Sequence, residues 1–186
     1  MILPIHLYGT HIWGIPVKRV TKFDDKLVGL IRDMFETMHN ADGIGLAATQ
    51  VGLSISMAVI DISVMENYST EKPLVMINPE ILEVRGERKM EEGCLSVPGI
   101  HDEVTRGEEI SVRFTNGSFE RVETDLSGMW ARVFQHEFDH LQLKFFVNRL
   151  SSVRRQLLKP KLSKIKRGDV PTNYPVLSHL AEKSAV

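Results

Sequence analysis

The chain has a single cysteine, Cys94, so no internal disulfide can form and nothing points to an oxidising compartment. It also lacks an excess of either charge: 23 Lys+Arg against 24 Asp+Glu leave a formal net charge of -1. That balance offers no overall basicity for DNA and no acidic composition typical of disorder. Long hydrophobic runs are missing too. The opening MILPIHLYGTHIWG has no basic n-region and no apolar stretch long enough for a signal segment or a membrane span. A soluble, cytoplasmic protein without membrane contact is expected, and any electrostatic partner must be sought in local clusters.

What is present is a chain of 186 residues, 42% hydrophobic, enough for one good core and too short to need two. Leu27, Leu30, Ile31, Met34, Phe35 and Met38 follow a 3.6-residue period after Asp24 and Asp25, which predicts a capped, core-facing N-terminal helix ending near Asn40 to Gly43. ISMAVID and PLVMIN are short apolar runs between turn residues and are predicted to be buried strands. Ile110 to Phe114 alternates apolar and polar, and Asn116-Gly117 follows it, a hairpin signal. SGMWARVFQHEFDHL contains no breaker after Gly128, which predicts a mostly buried helix with Ser127 as its cap. The fold class expected is α+β: antiparallel or mixed sheets around a central helix, with a further helix towards each terminus. After Arg149 basic residues accumulate with no acid until Asp169, a composition change predicting the end of the compact unit, and the stretch from Val170 is predicted to be a mobile tail.

The central helix carries H-E-x-x-H at His136, Glu137 and His140. Two histidines four apart project from one helix face and can grip one ion, while the Glu137 side chain leaves about 100° round from His136 and suits a base. Two histidines and two acids on an otherwise apolar helix would be costly to bury, and a divalent cation offsets that cost. A catalytic site of this kind needs a third protein ligand. Downstream there is no acid before Asp169 and no histidine before His179; upstream, EEGCLSVPG offers Cys94 beside a glycine. A lone cysteine is also commonly an inert buried small hydrophobe. A zincin endoprotease would share the helix and cut internal peptide bonds. A purely structural zinc site would need four protein ligands, and three are found.

GIGLAATQ at Gly43 to Gln50, EGCLS at Glu92 to Ser96 and QHEFDHL at Gln135 to Leu141 together resemble the peptide deformylase family, in the family's order and at similar separations. The likeness continues through MINPEIL, Val104 to Arg106 and Gly128, over roughly the first 150 residues. It implies hydrolysis of the formyl group from the formylmethionine of newly made polypeptides, releasing formate. It implies Cys94, His136 and His140 as ligands of one divalent ion, Fe2+ in the family with Zn2+, Ni2+ or Co2+ able to replace it, and water or hydroxide in the fourth position. By the same matching Glu137 is the general acid/base, and the Gln50 amide and the Leu95 N–H stabilise the oxyanion. The backbone at Gly45 pairs with the extended peptide. Val133, Arg132 and Met129 lie on the helix face preceding His136, and an apolar slot lined by Ile44, Met129 and Val133 would suit methionine, with Arg132 at its mouth. Gln135 and Asp139 are expected to orient the ligands, and Glu92 with Arg106 to pair behind Cys94.

Residues 1–150 would then form the catalytic domain and 151–186 a basic C-terminal helix and tail. Arg149, Arg154, Arg155, Lys159, Lys161, Lys164, Lys166 and Arg167 read as a solvated face. For an enzyme of nascent chains they also read as a contact for ribosomal RNA phosphates. The sequence departs from the family after the third motif, where Leu143 stands in place of a glycine and Asn148 in place of an aspartate. This departure predicts an altered helix exit with the ligands unchanged.

Overall fold

The computed structural model describes residues 1–184; Ala185 and Val186, the end of the expected tail, lie outside the described residues. In chain order the elements are β1 (Ile5–His6), α1 (Asp25–Asn40), β2 (Gly45–Ala47), β3 (Met57–Ile60), β4 (Leu74–Arg85), β5 (Arg88–Glu92) and β6 (Asp102–Arg106). They continue with β7 (Glu109–Thr115), β8 (Arg121–Ser127), α2 (Gly128–Leu141), α3 (Ser152–Arg167), β9 (Val176–Leu177) and α4 (His179–Ser184). The main sheet is antiparallel, in the order β2-β3-β4-β7-β8; β5 pairs with β6, and β1 pairs in parallel with β9. This is the α+β arrangement the sequence predicts.

Period-two alternation places a helix on each face of the main sheet. Leu46, Met57, Val59 and Ile77 pack with Leu27, Met34 and Met38 of α1. Their neighbours Ala47, Ala58, Ile60 and Met76 face the other way and meet Ala131, Val133 and Phe134 of α2. Both sides of these strands are therefore buried, which explains why ISMAVID and PLVMIN read as continuous apolar runs. Asp24 caps α1, its side chain accepting from the Leu27 N–H at 3.1 Å.

Two local expectations differ in detail. The hairpin at Asn116-Gly117 is wider than a two-residue turn, since Thr115 pairs with Arg121. Asn116 spans the loop instead, its side-chain oxygen accepting from the N–H groups of Ser118 and Glu120. Ser127 occupies the cap position of α2, but its side chain makes no capping bond, and the chain enters the helix through Gly128 at φ +58°.

The exit of α2 shows what the missing glycine does. Lys144 N–H donates to Asp139 O at 2.8 Å and Leu143 N–H to His140 O at 3.0 Å, the bond pair of a Schellman turn. That turn requires a left-handed residue, and Leu143 adopts it at φ +58°. Leu143 belongs to none of the three apolar clusters, so little packing opposes its replacement. Leu143→Gly is expected to raise stability by about 1 kcal/mol, or about 2–4 °C in thermal unfolding. A lower Tm would mean that the side chain contributes more than the backbone strain costs.

The expected end of the compact unit near residue 150 and the mobile tail after it are corrected by the structure. Leu158, Leu162 and Ile165 of α3 are buried with Leu7, Val97, Ile100, Val104, Phe145 and Phe146 in a third core cluster, against which Cys94 also packs. Beyond Gly168 the chain turns back, and Ile5 N–H donates to Pro175 O and Leu7 N–H to Leu177 O, both at 2.9 Å. The backbone groups of the supposed tail are thus satisfied by β1, which fixes it in place.

Candidate metal centre

His136 and His140 sit one turn apart on α2, with ring centroids 4.9 Å apart and planes nearly perpendicular. Cys94 arrives from the turn after β5, which closes with Val97 N–H donating to Cys94 O at 2.9 Å. Gly93 allows this turn to lie against His101, because a Cβ there would come within 2.7 Å of the imidazole. One donor atom from each of Cys94, His136 and His140 falls within 4.8 Å of the others, and Cys94 Sγ lies 3.3 Å from His140 Nε2.

The outer nitrogens are both committed. His140 Nδ1 donates to Lys144 O at 3.0 Å, and His136 Nδ1 donates to Glu92 Oε2 at 2.9 Å. Each bond leaves the Nε2 of its ring free to face Cys94. The Schellman turn therefore has a consequence at the site: it aims the carbonyl that orients His140. Trp13 and Phe145 wall the His140 ring, with centroids 5.5 Å away in each case.

Electrostatics fit a cation at this point. Burial, with His136 nearby, holds His140 well below the ordinary imidazole range, so its ring is neutral and able to ligate. Burial would lower His136 too, yet its bonds to Cys94 and Glu92 and the charge of Glu137 carry it up to about 10. The space between the three donors thus favours positive charge, and a divalent ion competes with the proton for it. The donor set, one thiolate and two imidazoles with fixed outer partners, suits Zn2+ or Fe2+.

Behind the donors lies a buried charge network. Glu92 accepts from Arg106 Nε at 2.6 Å and Nη2 at 2.8 Å, and from Arg132 Nη1 at 2.7 Å. Arg106 Nη1 also reaches Asp139 at 2.7 Å, and Asp139 takes a two-toothed contact from Arg149. The expected pair of Glu92 and Arg106 behind Cys94 is present, with the Arg106 side chain 0% exposed. Arg132 differs from expectation. Its guanidinium is buried and bonds Glu92, Val104 O and Arg88 O, because a buried guanidinium needs acceptors that the apolar slot lacks. Arg149, read from sequence with the basic face, is tied to Asp139, and Arg154 to Asp102. Gln135 pins α2 to the turn between β6 and β7 through both backbone groups of Gly107.

A cleft of about 760 Å³ opens over the donors, lined by Ile44, Gly45, Gln50, Cys94, Leu95, Met129, Arg132, Val133, His136 and Glu137 among others. Glu137 is 3% exposed and its Oε2 has no hydrogen-bond partner among the described residues. Burial pushes this carboxyl up to about 7, against the pull of His136 and Arg106. A buried carboxyl without a partner is expensive unless something in the cleft uses it. Gly45 makes room for it: a Cβ there would lie 2.3 Å from Glu137 Oε1 and 2.9 Å from Val133 Cγ1. Gln50 is oriented by its own short helical turn. Its carbonyl oxygen accepts from Ala47 N–H at 2.8 Å, which leaves the amide nitrogen facing Ser96 Oγ at 3.3 Å and Cys94 Sγ at 3.7 Å. The Leu95 N–H makes no bond to another backbone group among the described residues.

The sequence gives no sign of the remaining wall. Pro171, Thr172, Asn173 and Tyr174 line the same cleft, and Tyr174 donates its hydroxyl to Leu95 O at 2.8 Å. Burial, with Cys94 nearby, pushes the Tyr174 phenol up to about 12, so it remains a donor at ordinary pH. Tyr174 and Leu95 are 79 positions apart, and no spacing rule joins them.

An α+β fold whose central helix presents H-E-x-x-H beside an upstream cysteine turn, over a cleft with a buried unpartnered carboxyl, defines a hydrolase with a metal-capable centre. The chain belongs to the polypeptide deformylase family, whose sequence model matches residues 2–156. It is 44% identical over 185 residues to the peptide deformylase of Chlorobium phaeobacteroides (strain DSM 266), covering 99% of this chain and 98% of that one. Among solved structures it is similar to the peptide deformylase of Legionella pneumophila, with TM-score 0.81 and 40% identity over 91% of this chain and 98% of that one. The Thermotoga maritima enzyme matches with TM-score 0.75 and 43% identity, over 81% of this chain and 99% of its own. Among the described residues no helix is long and apolar enough to cross a membrane.

Proposed function

We propose that this chain removes the N-formyl group from formylmethionine at the start of new polypeptides, in the cytoplasm, using one divalent ion held by Cys94, His136 and His140. The observation that carries the proposal is the convergence of these three side chains beneath the unpartnered Glu137 carboxyl in one cleft. The ion, ferrous iron by family resemblance, supplies Lewis acidity that makes a water acidic enough to attack near neutral pH.

Every other part of the reaction falls to the chain's own groups. Glu137 accepts a proton from the attacking water and returns it to the departing amine, so that formate and a free N-terminus are released. Its position near neutrality suits both transfers. Gln50 Nε2 and Leu95 N–H donate to the oxygen of the formyl group as negative charge builds there. The backbone at Gly45 pairs with the peptide, and Ile44, Met129 and Val133 receive the methionine side chain. Arg132 contributes its stem to this wall while its charge holds Glu92.

Formyl-Met-Ala-Ser should release formate while casein stays intact under the same conditions. Degraded casein without formate would reverse the proposal in favour of an endoprotease. The exposed bases of α3, including Arg155, Lys159, Lys161 and Lys164, are proposed to meet ribosomal RNA phosphates. Co-sedimentation with ribosomes should then weaken steeply with salt and vanish when these four are changed to glutamate; unchanged binding rejects the contact.

A further inference from the structure

The strand β9 and the residues before it lie beyond residues 2–156, the stretch matched by the family's sequence model. The Thermotoga maritima enzyme, matched over 99% of its own length by only 81% of this chain, shows that a whole member of the family can be shorter. Yet in this chain that extra length returns to the active cleft. Pro171, Thr172, Asn173 and Tyr174 form part of its lining, and Tyr174 touches Leu95, another lining residue.

The segment is fastened at Tyr174 and again beyond it. Val176 and Leu177 pair with Ile5 and His6, and Tyr174 donates to Leu95 O. Further on, Glu182 of α4 accepts from His11 N–H at 2.8 Å and lies 3.4 Å from His6 Nδ1. Thr172 Oγ1 donates to Tyr174 O at 3.1 Å, bracing the bend between them. Asn173, at the crest of that bend, is exposed and has no side-chain hydrogen bond among the described residues, so both halves of its amide are available to a ligand.

The size of the cleft bears on what that ligand is. About 760 Å³ lies towards the upper part of the range of about 300–1,000 Å³ that houses drug-sized ligands, more than formylmethionine alone fills. The donors lie on and beside α2, and the C-terminal segment reaches the Cys94 turn where Tyr174 meets Leu95. Gly45, Glu137 and residues 171–174 line one and the same cleft, so a peptide longer than formylmethionine has this wall within its reach.

We propose that residues 171–174 form a strap that reads the peptide residues following the formylmethionine, with Asn173 as a contact and Tyr174 as the positioning residue that seats the strap on Leu95. The strap makes this enzyme sensitive to substrate beyond the first residue. The proposal rests on the deformylase activity described above.

Formate release is measured at low salt for wild type, Asn173→Asp and Asn173→Lys on formyl-Met-Lys-Lys amide and formyl-Met-Glu-Glu amide, each referenced to formylmethionine amide. Asn173→Asp should raise the preference for the lysine peptide about threefold and Asn173→Lys should lower it about threefold, in KM, as expected for an exposed charge pair. Tyr174→Phe should lower kcat/KM on the longer peptides, relative to formylmethionine amide, about fivefold, the scale of one lost hydrogen bond. Identical lysine-to-glutamate preferences in wild type and both Asn173 variants overturn the proposal, as does a Tyr174→Phe loss shared equally by long and short substrates. No formate from any substrate with wild type would instead remove the deformylase activity, and the strap's role with it.

Discussion

Glu137→Gln is expected to lower formate release by about 10²–10⁴-fold, the range for loss of a positioned acid/base, while the protein keeps its metal and its fold. The carboxyl is buried, its Oε2 has no partner, and Gly45 leaves only enough room for it. Glutamine is nearly the same size, so neither Val133 nor the backbone of Gly45 needs to move. It also removes a group that burial makes costly to ionise, so thermal stability should stay level or rise. Catalysis and stability should therefore move in different directions, which separates a catalytic role from a structural one. A variant with nearly full turnover would mean that another group moves the proton. A variant that lost both metal and stability would make Glu137 a structural residue.

The second large effect is on stability. Arg106→Ala should destabilise the protein by about 3–5 kcal/mol, because the guanidinium is fully buried and joins two buried carboxylates, Glu92 and Asp139. At this chain length that corresponds to a fall in Tm of roughly 10 °C. These carboxylates are held below the ordinary range although burial works to raise them; hydrogen bonds and charge from Arg106 act on both, joined by His136 on Glu92 and by Arg149 on Asp139. Depressed carboxyl pKa values contribute stability that is present above the unfolded-state range and lost as the pH falls through the folded value. The wild type should therefore resist mild acid better than Arg106→Ala does, and the gap between their unfolding midpoints should narrow at low pH. An Arg106→Ala protein as stable as wild type would show that Arg132 and Arg149 alone compensate the two acids.

What the sequence revealed tracks how local each signal is. The α1 stripe from Leu27 to Met38, the alternation through Ile110, Val112 and Phe114, and the H-E-x-x-H helix each rest on neighbours a few residues apart, and all three lie where the pattern puts them. Cys94 is 42 positions from His136, so no spacing rule joins them; the lack of a downstream donor makes Cys94 a candidate, and the likeness of three motifs to a known family makes it the choice. The compact unit extends past residue 150, which the density of charge over residues 149–167 conceals. The apolar residues Leu158, Leu162 and Ile165 in that run are spaced four and three apart, a buried helical stripe hidden among lysines and arginines. The strap had no local signal, since its place is set by pairing with β1 at the other end of the chain. Arg132 bonds Glu92 and two backbone carbonyls where the sequence predicts a place at the mouth of the slot, because helical spacing says where a side chain leaves the backbone and not which acceptor it finds.

The central claim is that Cys94, His136 and His140 hold one metal ion at which Glu137 acts. It is tested most directly by metal content per chain, measured on anaerobically purified wild type, Cys94→Ala and Glu137→Gln alongside formate release. The expected result is about one equivalent of metal in wild type and Glu137→Gln, little or none in Cys94→Ala, and formate from wild type alone. A Cys94→Ala protein that keeps a full equivalent of metal and wild-type formate release would contradict it.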